Sequence, residues 1–512
     1  MIDRALLLSL SALVCVWVFQ AIYRIYFHPL SKYPGSKVAA VSDSWWEFYW
    51  NYYRNGELLF EIDRLHKRYG PVIRVGVNTL HISDPEVYQD LVRTNSSFTK
   101  DPHFYLNISF PGTLIGETNP AKHRVRRKVL APALSGSRVQ ELAPAILTKT
   151  KQLIKRFEEV ADRKSPICIT AAAKAFTMDI ISKIVLGQEL GCVTEPNFRN
   201  QLTEYLEAGF KIGWVGTAFP TISSIALKAA SMTSFVLFPM PLFSFKRACL
   251  NITGRYLETF NPHQAGSQLS SAARQLQKSY GERSAVIDML MDPNSAKDHQ
   301  APNLEELNDE LVMLLTAGND TTSTAIIYGL YQVYTRPAIY NRIFRELTEE
   351  FPSLEEDITY ERVRKLPYLT ATIKEILRAG CPLPGRLPRT VPQEGYRLYG
   401  NYLKPGVNIQ MSPYILNRHP DVWDKPDEFI PERWLTDDVA RLDRYLATFN
   451  KGARQCLGRE LAWCEMWVVF GNIFRRFQIT PYNTTDKDME WKDLILVAYK
   501  NKFYATVEKK LT

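Results

Sequence analysis

The hydrophobic and polar positions of this chain fall into blocks of differing period. First comes a mostly apolar run from Ala5 to Tyr23 (ALLLSLSALVCVWVFQAIY), about the length needed to cross a bilayer. Trp17 and Tyr23 stand towards its C-terminal side, as an interfacial aromatic belt would. The run ends in Arg24-Ile25-Tyr26-Phe27-His28-Pro29 and not in a small-x-small cleavage site, so it reads as a retained anchor. Asp3 offsets Arg4 before the run, whereas Arg24, Lys32 and Lys37 follow it, and the positive-inside rule then leaves the body in the cytosol. The proline-containing stretch 27–36 reads as a stiff hinge between an anchor over 1–26 and a body over 37–512.

Within the body, Glu57 to Tyr69 has a helical period, and Pro71 to Asp84 alternates and turns at Val77-Asn78-Thr79 as a hairpin does. Phe98 to Thr118 is loop-like. Its Phe104, Tyr105 and Phe110 suit either the wall of a pocket for an apolar ligand or ordinary surface packing. Ala121 to Leu130 (AKHRVRRKVL) predicts a basic helix with His123 and Arg127 on one face and Lys122, Arg126 and Lys128 to the sides or behind. Val139 to Leu250 is mainly helical in pattern. Inside it, Ser234 to Phe245 (SFVLFPMPLFSF) is apolar, broken by proline and too short to span, which fits a dip into the interface beside a substrate entrance or core packing. Leu311 to Tyr334 predicts a long apolar helix interrupted by Ala317-Gly318-Asn319-Asp320-Thr321-Thr322. Such a glycine and polar cluster cost stability against alanine, a local violation of the kind expected at functional sites. Glu375 and Arg378 are neighbours on a further helix, and an apolar helical run, Leu461 to Phe470, follows a loop with two glycines.

Composition narrows the function classes. At 512 residues the chain has the length of about three average domains, yet no Ser/Gly-rich linker, repeat or low-complexity block divides it. Seven cysteines, an odd number without framework spacing or a CxxC, suit a reducing compartment. The net charge of +9 lacks the clustered basic stripe and base-reading motifs of a nucleic-acid binder, and biases the chain towards acidic partners or membrane surfaces. In a cytosolic body the sequons at Asn95, Asn107, Asn251, Asn319 and Asn483 would not meet the glycosylation machinery.

Candidate chemistry concentrates in Phe449-Asn450-Lys451-Gly452-Ala453-Arg454-Gln455-Cys456-Leu457-Gly458. Each residue type has a physical reason to be there if Cys456 binds a haem iron. A metal-bound thiol is deprotonated outright, and N–H groups at the start of the following helix stabilise the negative sulfur. Gly452 permits backbone angles closed to other residues, and Gly458 has no Cβ to strike a flat macrocycle. Arg454 offers charge-assisted bonds to a propionate, and Phe449 keeps water from the sulfur. A lone cysteine is more often a small buried hydrophobe. The complete spacing Phe-x-x-Gly-x-Arg-x-Cys-x-Gly reverses that preference. It resembles the ligand loop of the haem-thiolate monooxygenases, the cytochromes P450, of the fungal microsomal type, and the likeness runs from the N-terminal anchor almost to the C-terminus.

The resemblance implies a mainly α fold with small β-sheets, the cytochrome P450 fold, as a single large domain behind an N-terminal transmembrane helix. It places the anchor in the endoplasmic reticulum membrane and the catalytic body in the cytosol. It implies haem b (iron protoporphyrin IX) held through Cys456, and electrons from NADPH delivered by an NADPH–cytochrome reductase. Ala-Gly-x-Asp-Thr-Thr matches the family's oxygen-activating motif, in which Thr321 would hold a water or the bound dioxygen and Asp320 would relay protons. His123, where many members carry tryptophan, and Arg127 would bond a propionate. Gly385-Arg386-Leu387-Pro388-Arg389 resembles the strand at the haem edge, with Arg389 as the ligand. Glu375, Arg378 and Arg433 would form a structural network that fixes the cysteine loop. Lys122, Arg126, Lys128, Lys451 and Arg459 would make a cationic dock for the reductase. The sequence departs from the family pattern at Ser36, where a second proline is common, and at Gly380-Cys381-Pro382-Leu383-Pro384. The implied reaction inserts one oxygen atom from O2 into an apolar organic substrate, and the hinge and Arg386–Arg389 region point to fungal secondary metabolism and a terpenoid. Two alternatives stay open: a haem-thiolate isomerase or dehydratase that needs no reductase, against which the intact Asp320-Thr321 argues, and a non-enzymatic haem carrier or sensor.

Overall fold

The computed structural model describes residues 2–108, 110, 112–199, 203–204, 218–219, 247, 249–250 and 285–510. Ser234–Phe245, with its alternatives of membrane dip and core packing, lies outside the described residues.

The N-terminal apolar run is helical from Ile2–Ile22 and continues as a π-helical turn over Tyr23–Phe27. Its segment Leu8–Phe27 is long and apolar enough to cross a membrane, and none of it is buried against the rest of the chain. Behind it the described residues form a mainly α body with small sheets, as the pattern predicts. The predicted helix over Glu57–Tyr69 is found over Leu58–Tyr69. The predicted hairpin pairs Val72–Arg74 antiparallel with Thr79–Ile82, Val72 opposite Ile82. That hairpin is one edge of a five-stranded sheet continued by Asn408–Gln410, Arg389–Thr390 and Thr99–Lys100 in spatial order.

Two elements differ from the expectation. The stretch Phe98–Thr118 is not all loop: it contains the strand Thr99–Lys100 and the helix Pro102–Ile108. A two-residue strand carries no readable period, and the helix is short enough for its aromatic side chains to hide its stripe. The long helix is also longer than its apolar stretch and unbroken, spanning Leu304–Tyr334. Its start is set by polar residues, since the Asn303 side chain accepts from the Glu306 N–H at 3.0 Å while Glu306 Oε2 accepts from the Asn303 N–H at 3.1 Å. This reciprocal pair satisfies two of the N–H groups a helix start leaves open.

One large apolar core joins the helices Gly136–Arg163, Ile169–Leu186, Leu304–Tyr334, Pro367–Gly380 and Arg459–Arg476. The helix Ile169–Leu186 is buried along nearly its whole length and lies hard against the long helix. Gly318 makes that approach possible: a Cβ there would stand 2.5 Å from Ile181 Cγ1. The mid-helix glycine therefore has a packing role, and the two residues after it face polar partners on the same neighbouring helix.

Candidate active site

The loop Phe449–Gly458 is shaped by its backbone. Gly452 sits at φ +64°, in the left-handed region, and a Cβ there would stand 1.9 Å from the Val92 carbonyl oxygen. Cys456 N–H donates to the Phe449 carbonyl at 2.8 Å, closing the loop, and the Gly458 N–H points back at the thiol. Gly458 caps the helix Arg459–Arg476. Cys456 is surrounded by protein in depth, and this desolvation pushes its thiol up, against the opposing pull of the Gly458 N–H, Arg127 and Arg459. Yet its surface is open and not packed against neighbours. A side chain with both properties lines an internal space. The position where Gly458 would carry a Cβ also meets nothing within 4 Å.

Five basic side chains, His123, Arg454, Lys100, Arg389 and Arg127, converge beside this space. His123 is pushed down to about 3 by burial first and then by Arg454, Lys100 and Arg127. Arg454 is lowered to about 10 by burial and by Arg389. Lys100, almost fully buried, is driven well below its usual range by burial, Arg389 and Arg454. Sheet register makes the crowding unavoidable, because Lys100 and Arg389 are direct cross-strand partners, and like charges opposite each other destabilise a sheet. The carboxylate that this cluster feels, Glu117, accepts from the Asn119 N–H at 2.7 Å. The cations find neutral acceptors instead: Arg127 Nη1 donates to the Gln455 carbonyl at 2.8 Å, Arg454 Nη1 to the Glu117 carbonyl at 2.8 Å, and Lys100 Nζ to the Ile115 carbonyl at 2.6 Å. Arg389 Nη1 donates to Tyr105 Oη at 3.0 Å. A cluster whose members depress one another's ionisation is stabilised by an anionic group placed among them. An open thiol, an open glycine face and a cluster of basic side chains together fit a flat cofactor with one sulfur ligand and carboxylate side chains.

Of the residues picked from sequence, His123, Arg127, Arg389, Arg454, Cys456 and Gly458 are thus brought to one region, and Phe449 packs against the main core behind the loop. Lys100 was missed, since the only signal it gives is a buried charge, which sequence does not display. Arg386 is not free to join them. Both of its Nη atoms donate to Glu47, at 2.6 and 3.1 Å.

On the long helix, Thr321 Oγ1 donates to the Ala317 carbonyl at 2.7 Å, one turn back. Lys174 Nζ holds Asp320 Oδ1 at 3.0 Å, while Asp320 Oδ2 is buried and meets no donor among the described residues. Thr177 Oγ1 donates to Asn319 Oδ1 at 2.8 Å. The helix Ile169–Leu186 thus supplies both polar partners, a contact invisible in the motif alone.

Glu375 and Arg378 are both wholly buried and exchange two bonds, at 2.7 and 2.9 Å. Glu375 also accepts from Arg433 Nε (3.2 Å), Ile430 N–H (2.9 Å) and Trp434 Nε1 (2.9 Å). Burial would raise its carboxyl, but the Arg378 bonds outweigh it and hold it low. Arg378 Nη1 donates to the Asn417 carbonyl, and Asn417 Oδ1 accepts from the Ala447 N–H at 2.9 Å, which ties the network to the chain just before Phe449. Glu375→Gln leaves two buried guanidinium groups without their carboxylate, and is expected to lower stability by about 3–5 kcal/mol. Chemical denaturation followed by circular dichroism measures this; a loss below about 1 kcal/mol, the range of an exposed pair, would show that the network is not holding the loop.

The cationic dock needs correction. Arg126 does not face solvent: its side chain is 17% exposed and its Nε lies 3.5 Å from the buried Glu310. Glu310 in turn accepts from the Leu114 N–H at 3.0 Å, and burial lifts its carboxyl to about 7. Lys451 is half-buried and donates to the Asp443 carbonyl, and Arg459 is held by Glu460 at 2.6 Å. Lys122 and Lys128 remain exposed, together with Arg124.

Comparison with known proteins agrees with this geometry. The family model described as Cytochrome P450 matches residues 42–506. The cytochrome P450 monooxygenase sol6 of Alternaria solani is 56% identical over 472 residues, covering 91% of this chain and 97% of that protein. The cytochrome P450 monooxygenase BOT1 of Botryotinia fuckeliana is 32% identical, covering 95% of this chain and 92% of its own length. The cytochrome P450 monooxygenase macH of Penicillium terrestre is 31% identical, with 96% and 95% covered. Loop, core and relatives converge, and the chain belongs to the cytochrome P450 family, which makes it an oxidoreductase of the monooxygenase class with an implied haem cofactor.

Proposed function

We propose that this enzyme inserts one oxygen atom from O2 into an apolar secondary metabolite at the cytosolic face of the endoplasmic reticulum membrane, with Cys456 as the iron ligand. The observation that carries the reading is the open, deeply surrounded thiol beside a cluster of mutually repelling cations. His123, Arg127, Arg389 and Arg454, joined by Lys100, would hold the haem carboxylates, and Phe449 and Gly458 would shape its sulfur side. Bound there, haem supplies the activation of O2, which needs two electrons and two protons from outside the site. The electrons come from NADPH through a membrane flavoprotein reductase, whose acidic face would meet the exposed Lys122, Arg124 and Lys128.

The protons are the work of the long helix. Asp320 has one oxygen fixed by Lys174 and the other free to take a proton from a water. Thr321 can turn its hydroxyl from the Ala317 carbonyl to a group in the active-site space, and so fix where that proton arrives. The helix over 1–26 serves as a single-pass anchor, with 27–36 as hinge and 37–512 as the catalytic domain. The terpenoid expected from the sequence is the substrate class to test first. Coexpression with a reductase should give reductase-dependent NADPH consumption and a product heavier by one oxygen atom in untargeted metabolite comparison. Turnover of a substrate with no reductase and no NADPH would replace this reading with an isomerase.

A further inference from the structure

Glu310 is a buried carboxylate that the proposed chemistry does not use. It stands on the long helix seven residues before Ala317, and so two turns away on the same face. Its side chain is 1% exposed. A carboxylate at that depth costs stability unless its charge is bonded. Both of its oxygens face the Leu114 N–H, at 3.0 and 3.1 Å, and Oε2 lies 3.5 Å from Arg126 Nε.

What the carboxylate holds is a strap, residues 113–118, that belongs to no helix or sheet. The strap closes on itself at Thr113, whose carbonyl accepts from the Glu117 N–H at 2.8 Å and whose Oγ1 accepts from the Gly116 N–H at 3.1 Å. Three of its other backbone groups are taken by charged side chains from remote segments. Glu310 accepts from the Leu114 N–H, Lys100 donates to the Ile115 carbonyl, and Arg454 donates to the Glu117 carbonyl. Asn119, directly after the strap, caps the helix that carries His123 and Arg127. Lys100 and Arg454 belong to the basic cluster proposed to hold the haem carboxylates. A carboxylate bonded there is therefore bonded by side chains that also grip the strap, and the long helix supplies the third grip. We infer that Glu310 is a positioning residue that keeps this strap closed beside the haem carboxylates, so that its charge sets how readily haem leaves. The inference rests on the haem reading proposed above.

The grip depends on charge, because a carboxylate accepts more strongly than the neutral acid and attracts Arg126. Arg126, from the basic helix, and the Leu114 N–H, from the strap, favour the ionised form, while Asp309 on the long helix opposes it. Burial outweighs the favourable contacts and lifts the carboxyl to about 7. The ionised grip is thus complete above that pH and is lost as pH falls through it.

The test mixes the haem-loaded full chain with excess apomyoglobin and follows haem transfer by absorbance between pH 6 and pH 8. Wild type is expected to release haem several-fold faster at pH 6 than at pH 8. Glu310→Gln keeps an acceptor for the Leu114 N–H but no charge. It should release haem at pH 8 as fast as wild type does at pH 6, and vary little with pH. Loss of packing alone would instead speed release equally at every pH. Arg126→Gln removes the cation that favours the carboxylate, so the wild-type rise should begin at higher pH; this variant decides the matter if Glu310→Gln does not fold. Wild-type release from Glu310→Gln at pH 8, a pH dependence that persists in it, or an unmoved onset in Arg126→Gln overturns the inference and leaves the haem site standing. A wild-type chain that binds no haem overturns both.

Discussion

Cys456→Ala is expected to abolish the red-shifted Soret band of the reduced carbon monoxide complex while the body stays folded. The other six cysteines cannot take over the ligand role. Cys15 lies within the apolar N-terminal helix, and Cys168 stands in a two-residue strand. Cys192, Cys249, Cys381 and Cys464 are buried, and that burial pushes each thiol up, those of Cys249 and Cys381 to about 12. A buried thiol resists the deprotonation that a metal ligand requires, and at Cys381 burial outweighs the pull of Arg418, Asn417 and Arg378. Cys456 differs because its surface is open to an incoming metal, while the Gly458 N–H, Arg127 and Arg459 favour its thiolate. Absorption spectra of the reduced protein with and without carbon monoxide, wild type against variant, decide the matter. An unchanged band in Cys456→Ala would move the ligand elsewhere and remove the basis of the proposed site.

What the sequence displays and what it hides follow from the range of each signal. The loop around Cys456 is local, so its glycines and its arginine are readable one residue at a time, and Gly452 indeed occupies a conformation that only glycine accepts easily. Amphipathic helices are equally local, which is why Leu58–Tyr69 and Pro120–Leu130 lie where their periods put them. Lys100 and Glu310 went unseen because their meaning depends on burial. Lys100 gains its neighbours only through a sheet register that pairs it with Arg389, almost three hundred residues later in the chain. The misplaced dock has the same origin. Arg126 reads as one more cation on a basic helix, and only the fold reveals Glu310 behind it. Gly318 shows the converse. Its place in a functional motif points to chemistry, whereas the long helix expected there runs through it and the missing side chain serves the contact with Ile181.

The contact between the long helix and Ile169–Leu186 also sharpens the expected behaviour of Thr321 and Asp320, the second large effect. Thr321→Ala removes a hydroxyl that, among the described residues, bonds its own helix through the Ala317 carbonyl, so the fold loses little. The variant should keep its haem spectrum and much of its NADPH consumption, yet divert electrons from product to hydrogen peroxide, because proton arrival is no longer directed. Asp320→Asn acts differently. It takes the carboxylate from Lys174, whose side chain is 15% exposed, and removes the group that can accept and pass a proton. Positioned acid–base groups contribute about 10²–10⁴-fold, so turnover should fall within that range while the ratio of product to peroxide changes less. Lys174→Met separates the two roles of this pair. If Lys174 only shields a buried charge, Lys174→Met weakens thermal stability and leaves the ratio alone. If it governs the approach of Asp320 to water, the rate changes at unchanged stability. The deciding measurement is product and peroxide formed per NADPH for the three variants. An unaltered ratio in Thr321→Ala would refute the proton-directing role, and wild-type turnover in Asp320→Asn would refute the relay, while the assignment of Cys456 would survive either result.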